Sequence, residues 1–186
     1  MSLFFHAYVQ FDQANLGLGI LSPLLSKNPT LKHIDYPGFS VTNGEGSSLL
    51  AESGDQVLVN GIGNEILETT GAMQVDSSSK VTYFDLKSFY FGCDLLTKDL
   101  VNVDGLVPGL PTPCIVTIKG YYQSKLIGQQ QFEYNVGSGL RNATLQAGEC
   151  HTDFQGVDRV EFTSDNPVLK AIVLDEVEYT PHYCTQ

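Results

Sequence analysis

Tryptophan is absent from this chain, and lysine and arginine are scarce: 10 against 21 aspartates and glutamates, for a formal charge of −11. Without tryptophan the chain lacks the flat stacking platform common in binders of crystalline polysaccharide. A surface so poor in cations cannot neutralise phosphates. That excludes nucleic acid as a partner and argues against docking on anionic membranes. The acidity itself serves solubility or, where acids converge, cation binding. No stretch is long and apolar enough to span a membrane as a helix.

Catalytic signatures are missing as well. There is no GxSxG elbow, no Walker A loop and no dinucleotide fingerprint. His6, His33, His151 and His182 show neither HxH nor HExxH spacing and read as surface or loop residues. Carboxylate pairs for glycoside hydrolysis are defined by separation in space, so the sequence leaves them open. The chain reads more as a binding protein than as an enzyme. The four cysteines include no CxxC pair and no zinc spacing with histidine. An even set of this kind fits two structural disulfides in an exported protein. The first ten residues carry no basic segment and no cleavage site, so an exported protein would be a mature form with a replacement Met.

What the chain does have is many short apolar runs separated by Gly, Asn, Asp and Pro, with 18 glycines among 186 residues. This pattern predicts an all-β protein, an antiparallel β-sandwich. Its length is most simply one domain, 1–186, with no repeat and no linker. Strands are expected over 2–11, Phe39–Val41, Gln56–Asn60, the VDRVEFTS stretch and the LKAIVLDEVEY stretch. A short helical turn is expected around Leu21–Leu25, where Pro23 and Pro29 forbid a longer helix. A hairpin is expected from Gly120 to Val136, turning at Gln123-Ser124.

The centre of the chain is Val81 to Tyr122, read as two central strands clamped by a disulfide. On the first, Phe84, Leu86 and Ser88 share one face and Tyr83, Asp85 and Lys87 the other. The consecutive rings Phe89, Tyr90 and Phe91 break the alternation, so either a bulge shifts the register or both faces are covered. On the second strand Val116 and Ile118 share a face, and Thr117, Lys119 and Tyr121 the other. Between the strands lies a long excursion, 94–113, rich in Leu and Val. It reads as a lid over the sandwich edge with a short extra strand, or as an apolar contact surface for a protein partner. Sequential pairing, Cys93 with Cys114 and Cys150 with Cys184, suits the spacing, but four cysteines allow three connectivities. Closing a loop of that size stabilises by roughly 3 kcal/mol.

Three candidate sites follow. Tyr83, Asp85, Lys87, Lys119, Tyr121 and Tyr122 mix rings with polar groups, the combination that recognises a sugar; Gln131 borders them. The bland alternative is an ordinary solvent-facing sheet with cross-strand pairs. Asp175 falls on an apolar face of the last strand, where an unpaired charge is costly. A calcium ion shared with Asp12 would compensate it; so would backbone amides, or a bulge that turns it to solvent. Asn142 opens a glycosylation sequon, which modestly supports export.

FD at Phe11-Asp12, YPGF at Tyr36–Phe39, FDLKSFYFGC at Phe84–Cys93, PCIVTIKGYY at Pro113–Tyr122 and LDEVEY at Leu174–Tyr179 occur in this order. Together they resemble small secreted fungal β-proteins with a galactose-binding-like jelly roll, akin to carbohydrate-binding modules. The resemblance implies two antiparallel sheets, export and a Cys93–Cys114 bridge. It also implies a structural calcium ion between the domain start and the last strand, which maps onto Asp12 and Asp175. The excursion 94–113 is longer than the group leads one to expect. Many members of the group have no assigned activity; the function expected here is non-catalytic carbohydrate or lectin-like binding by a secreted protein. A secreted effector gripping a protein through 94–113 is the alternative, and a small glycan-active hydrolase or lyase stands behind both.

Overall fold

The computed structural model describes residues 7–9, 24–27, 29–43, 48–60, 70–95, 101–102, 105–106, 110–137, 143–167 and 170–183. Its strands in chain order are β1 (Ala7–Val9), β2 (Leu24–Lys27), β3 (Thr30–Leu31), β4 (Ile34–Asp35), β5 (Phe39–Asn43) and β6 (Leu49–Leu50). Next come β7 (Gln56–Asn60), β8 (Gly71–Val75), β9 (Val81–Leu95), β10 (Val101–Asn102), β11 (Gly105–Leu106) and β12 (Leu110–Pro111). The last are β13 (Cys114–Tyr122), β14 (Lys125–Tyr134), β15 (Ala143–Thr144), β16 (Gln146–Glu149), β17 (Arg159–Ser164) and β18 (Lys170–Tyr183).

Two antiparallel sheets face each other, as the alternating runs predict. The first runs β12–β9–β18–β7–β5–β2, with β1 also on β18 and β16 also on β9. The second runs β14–β13–β17–β8–β4–β3. The helical turn expected at Leu21–Leu25 is not a turn in its described part: Leu24–Lys27 is β2, paired with β5. A tertiary partner overrides the weak local preference of so short a segment.

The core lies between the sheets because each sheet turns one period-2 face inward. Phe84, Leu86, Phe89 and Phe91 of β9 are buried, as are Val116 and Ile118 of β13 and Val160 and Phe162 of β17. Phe89 joins the layers, with its ring 5.1 Å from Phe132 and 5.4 Å from Phe162, both edge-on. Each such ring contributes on the order of 2 kcal/mol on burial.

The opening pair of strands needs one correction. β9 and β13 are not neighbours: β9 is central in the first sheet and β13 lies in the second, between β14 and β17. Alternation tells which side chains point inward, but not which sheet a strand joins. The Cys93–Cys114 disulfide, with Cα atoms 6.2 Å apart, therefore ties one sheet to the other. The excursion after β9 is also pinned at its base. β12 folds back onto Leu95 and Asp94, and the Thr112 amide donates to the Cys93 carbonyl at 2.9 Å. Within it, β10 and β11 pair as a small hairpin.

Three register shifts mark the β9–β18 seam, the last of them between His182↔Tyr83 and Tyr183↔Val81. Between Asp175↔Tyr90 and Glu178↔Ser88, β18 spends one residue more than β9; between Glu178↔Ser88 and Tyr179↔Leu86, β9 spends one more than β18. Glu176 takes φ 45° at the first of these. At the second, Lys87 and Ser88 both lie outside the core while Leu86 and Phe89 flank them inside. The broken alternation is thus a register shift, and it moves Ser88 off the face of Phe84 and Leu86.

Candidate functional site

A pocket of about 330 Å³ lies at the first two register shifts of the β9–β18 seam, where Ser88 and Glu178 line it. Its floor is Asp85, Lys87 and Ser88 of β9 with Glu178 of β18. Its wall is the end of β16 and the segment after it, through Glu149, Cys150, His151, Thr152 and Gln155. Register explains the grouping: Glu149 and Glu178 both pair with Ser88, from opposite sides. Three strands thus carry Glu149, Ser88 and Glu178 in one row. Ser88 Oγ lies 3.3 Å from Glu178 Oε2, and Lys87 Nζ lies 3.9 Å from Glu178 Oε1.

Beyond the lining residue Asp85 lies a group of rings. Tyr83 and His182 are direct cross-strand partners and stack with centroids 4.4 Å apart and planes 19° off parallel. His182 Nε2 meets Asp85 Oδ2 at 2.8 Å, and the Gly156 amide donates to Asp85 Oδ1 at 2.8 Å. Tyr122, at the tip of the β13–β14 hairpin, reaches over from the second sheet. Its ring stands edge-on to Tyr83 at 6.5 Å and is 39% exposed.

The six residues expected to recognise sugar are therefore divided. Asp85 and Lys87 line the pocket, whereas Tyr83 and Tyr122 stand together outside its lining, next to His182. Lys119 and Tyr121 lie on the outer face of the second sheet. There Tyr121 donates its hydroxyl to Glu161 Oε2 at 3.0 Å, and Arg159 Nε donates to Glu161 Oε1 at 3.2 Å. Burial, then the hydrogen bond to Glu161, hold the Tyr121 phenol above its ordinary range. Gln131 is on that face as well, donating to Thr117 Oγ1 at 3.1 Å. The division follows from the sheet assignment of β13, which no local pattern reveals.

Asp175 is fully buried, and its charge is met by amides. Glu52 and Ser53 donate to Oδ2 at 2.9 and 3.1 Å, and Glu176 donates to Oδ1 at 2.8 Å. Burial nonetheless pushes its carboxyl up to about 6, against the pull of the three amides. Asp12, its expected partner at a calcium ion, lies outside the described residues, and so does Asn142. Among the described residues no three His, Cys, Asp or Glu side chains converge as metal ligands.

Cys150 carries a free thiol that burial pushes up to about 12. Cys184 is outside the described residues. Tyr183 before it pairs with Val81, while the Cys150 amide donates to the Lys87 carbonyl at 2.7 Å.

Glu149, His151, Thr152, Gln155, Glu178 and His182 were not among the residues expected at a sugar site. Glu149, Glu178 and His182 enter through pairing register, and His151, Thr152 and Gln155 through the segment that follows β16. The one local signal near them is the loss of alternation at Phe89, Tyr90 and Phe91.

No family model and no curated protein matches the chain. Among solved structures it is similar to a DUF4465 family protein from Bacteroides caccae, with TM-score 0.51 and 15% identity over 96% of this chain and 87% of that one. It is more loosely similar to a cyclase from Fischerella sp. TAU, with TM-score 0.43 and 10% identity over 98% of this chain and all of that one. A CBM22-1–GH10 xylanase from Clostridium thermocellum gives TM-score 0.39 and 10% identity, over 90% of this chain and 29% of that one. The last two are too loose to argue from. The first bears on architecture alone: this chain is an antiparallel two-sheet β-sandwich.

Proposed function

We propose that this chain is an exported, non-catalytic protein that binds a glycan in the pocket over β9 and β18. The observation that carries the reading is the pocket's make-up. Hydroxyl, carboxylate, amide and ammonium groups line a concavity of about 330 Å³, and Tyr83 stacks on His182, which bonds the lining residue Asp85, with Tyr122 edge-on beyond it. Hydroxyl groups on a sugar need such donors and acceptors, and its CH face needs a ring. The Cys93–Cys114 disulfide is consistent with an oxidising compartment.

The test is a glycan array followed by titration with the best soluble oligosaccharide. Binding that weakens at least about tenfold in Glu178→Ala or Tyr83→Ala supports the reading. Absence of binding to any plant, fungal or bacterial wall glycan counts against it.

A second reading has its own observation. Glu149 and Glu178 flank Ser88 from opposite sides of β9, and both line the pocket. Two carboxyl groups facing across a cleft are what glycoside hydrolysis requires. Release of reducing sugar that stops in both Glu149→Gln and Glu178→Gln would favour that reading over simple binding.

A further inference from the structure

The pocket wall is held from both sheets. On the first sheet, Glu149 pairs with Ser88, and the Cys150 amide donates to the Lys87 carbonyl at 2.7 Å. From the second sheet, Gln130 of β14 reaches the same segment. Its Nε2 donates to the Glu149 carbonyl at 2.9 Å, and its Oε1 accepts from the His151 amide at 2.9 Å. One carboxamide thus supplies a donor to residue i and an acceptor to residue i+2, the pair of bonds that a neighbouring strand would offer.

Packing reinforces the hold. A Cβ at Gly128, two residues earlier on β14, would fall 2.8 Å from the Asp153 carbonyl oxygen. The wall therefore rests on bare backbone at that point. A second clasp of the same type sits at the other end of β16. Gln146 Nε2 donates to the Asn135 carbonyl at 3.1 Å, and Gln146 Oε1 accepts from the Asn135 amide at 3.4 Å.

We propose that Gln130 is the positioning residue of the pocket, its carboxamide holding the 149–155 strap closed across the seam between the sheets. What the strap encloses rests on the glycan-binding reading; the hold itself does not. Cys150, inside the strap and half-buried, is a reporter already in place.

The test is iodoacetamide labelling of the folded protein, read peptide by peptide, for wild type, Gln130→Ala, Gln130→Glu and Gln131→Ala. Gln131→Ala controls for any loss on the same strand. Gln130→Ala should label Cys150 at least about tenfold faster than wild type and the control, the factor expected for losing two net hydrogen bonds. Gln130→Glu keeps the acceptor for His151 and should fall between. The acceleration should persist at low urea, where labelling reports local opening rather than unfolding. Equal rates in Gln130→Ala and Gln131→Ala, or an acceleration that tracks global unfolding, overturn the proposal. That result would leave glycan binding untouched, whereas failure of every glycan to bind would leave the labelling result intact.

Discussion

His182 of the last strand holds the carboxylate of Asp85 at 2.8 Å, while Tyr83 lies flat against the His182 ring. The end of β18 is thereby locked to the floor of the pocket. Both side chains are partly shielded, 19% and 25% exposed. Replacing Asp85 with Ala also strips the Gly156 amide of its acceptor. The expected cost is about 1 to 2 kcal/mol in urea unfolding. A double-mutant cycle with His182→Ala should return a coupling of about 1 kcal/mol. Additive losses would mean that the pair is incidental.

Asp175 gives the chain a pH signature of definite sign. Its carboxyl is raised from an ordinary 3.8 to about 6 in the folded protein. Between those values the folded state binds more proton than the unfolded state. Asp175 therefore contributes most below about pH 4, and that contribution is lost as pH rises through about 6, on the order of 2 to 3 kcal/mol in all. Asp76 and Asp165, held low by Ser78 and Lys170 respectively, act in the opposite sense at acid pH. The clean measurement is thus a difference. The stability of wild type minus that of Asp175→Asn should shrink from pH 4 to pH 7. A difference that is flat or grows contradicts the burial argument.

Gly128 is required by the wall that crosses it. Ala at this position would put its Cβ 2.8 Å from the Asp153 oxygen and 2.9 Å from the Asp153 Cβ. Backbone cannot yield as a flexible side-chain end can, so Gly128→Ala should destabilise by about 1 to 3 kcal/mol. A thermal shift of less than about 2 °C would show that the strap gives way freely.

The cysteines should not all pair in sequence. A non-reducing peptide map is expected to show Cys93 linked to Cys114 and Cys150 unlinked. Six residues separate Val81 from Lys87 along β9, about 20 Å at strand rise. Tyr183 sits at the first and Cys150 bonds at the second. A disulfide tolerates only about 7 Å between Cα atoms. Finding Cys150 linked to Cys184 would show that the end of β18 pairs otherwise than described. Reducing the Cys93–Cys114 bridge should cost about 3 kcal/mol.

Much of the architecture was legible because strand alternation is a local property. Val116 and Ile118 against Thr117 and Lys119 declare an inner and an outer face within four residues. The turn at Gln123-Ser124 and the long last strand were legible for the same reason. The run Phe89-Tyr90-Phe91 announced a disturbed register, although the extra residue itself sits at Lys87. Sheet membership was not legible. β13 could neighbour β9 or face it, and only the long-range pairings of β9 with β18 and of β13 with β17 decide. The site inherits that limit. Tyr83, Asp85 and Lys87 lie on one strand and were found together, whereas Glu149 and Glu178 meet at Ser88 through register alone. Asp175 was flagged by its apolar neighbours, but the three amides that hold it come from elsewhere in the fold.

The central claim is that the pocket over β9 and β18 binds glycan while the outer face of the second sheet does not. The most direct measurement is amide chemical-shift mapping during titration with the oligosaccharide selected from an array, comparing Glu178→Ala with Tyr121→Ala. Shifts centred on 85–88, 149–155 and 178, lost in Glu178→Ala and retained in Tyr121→Ala, are the predicted result. Shifts centred on Lys119, Tyr121 and Glu161, or retained in Glu178→Ala, would contradict it.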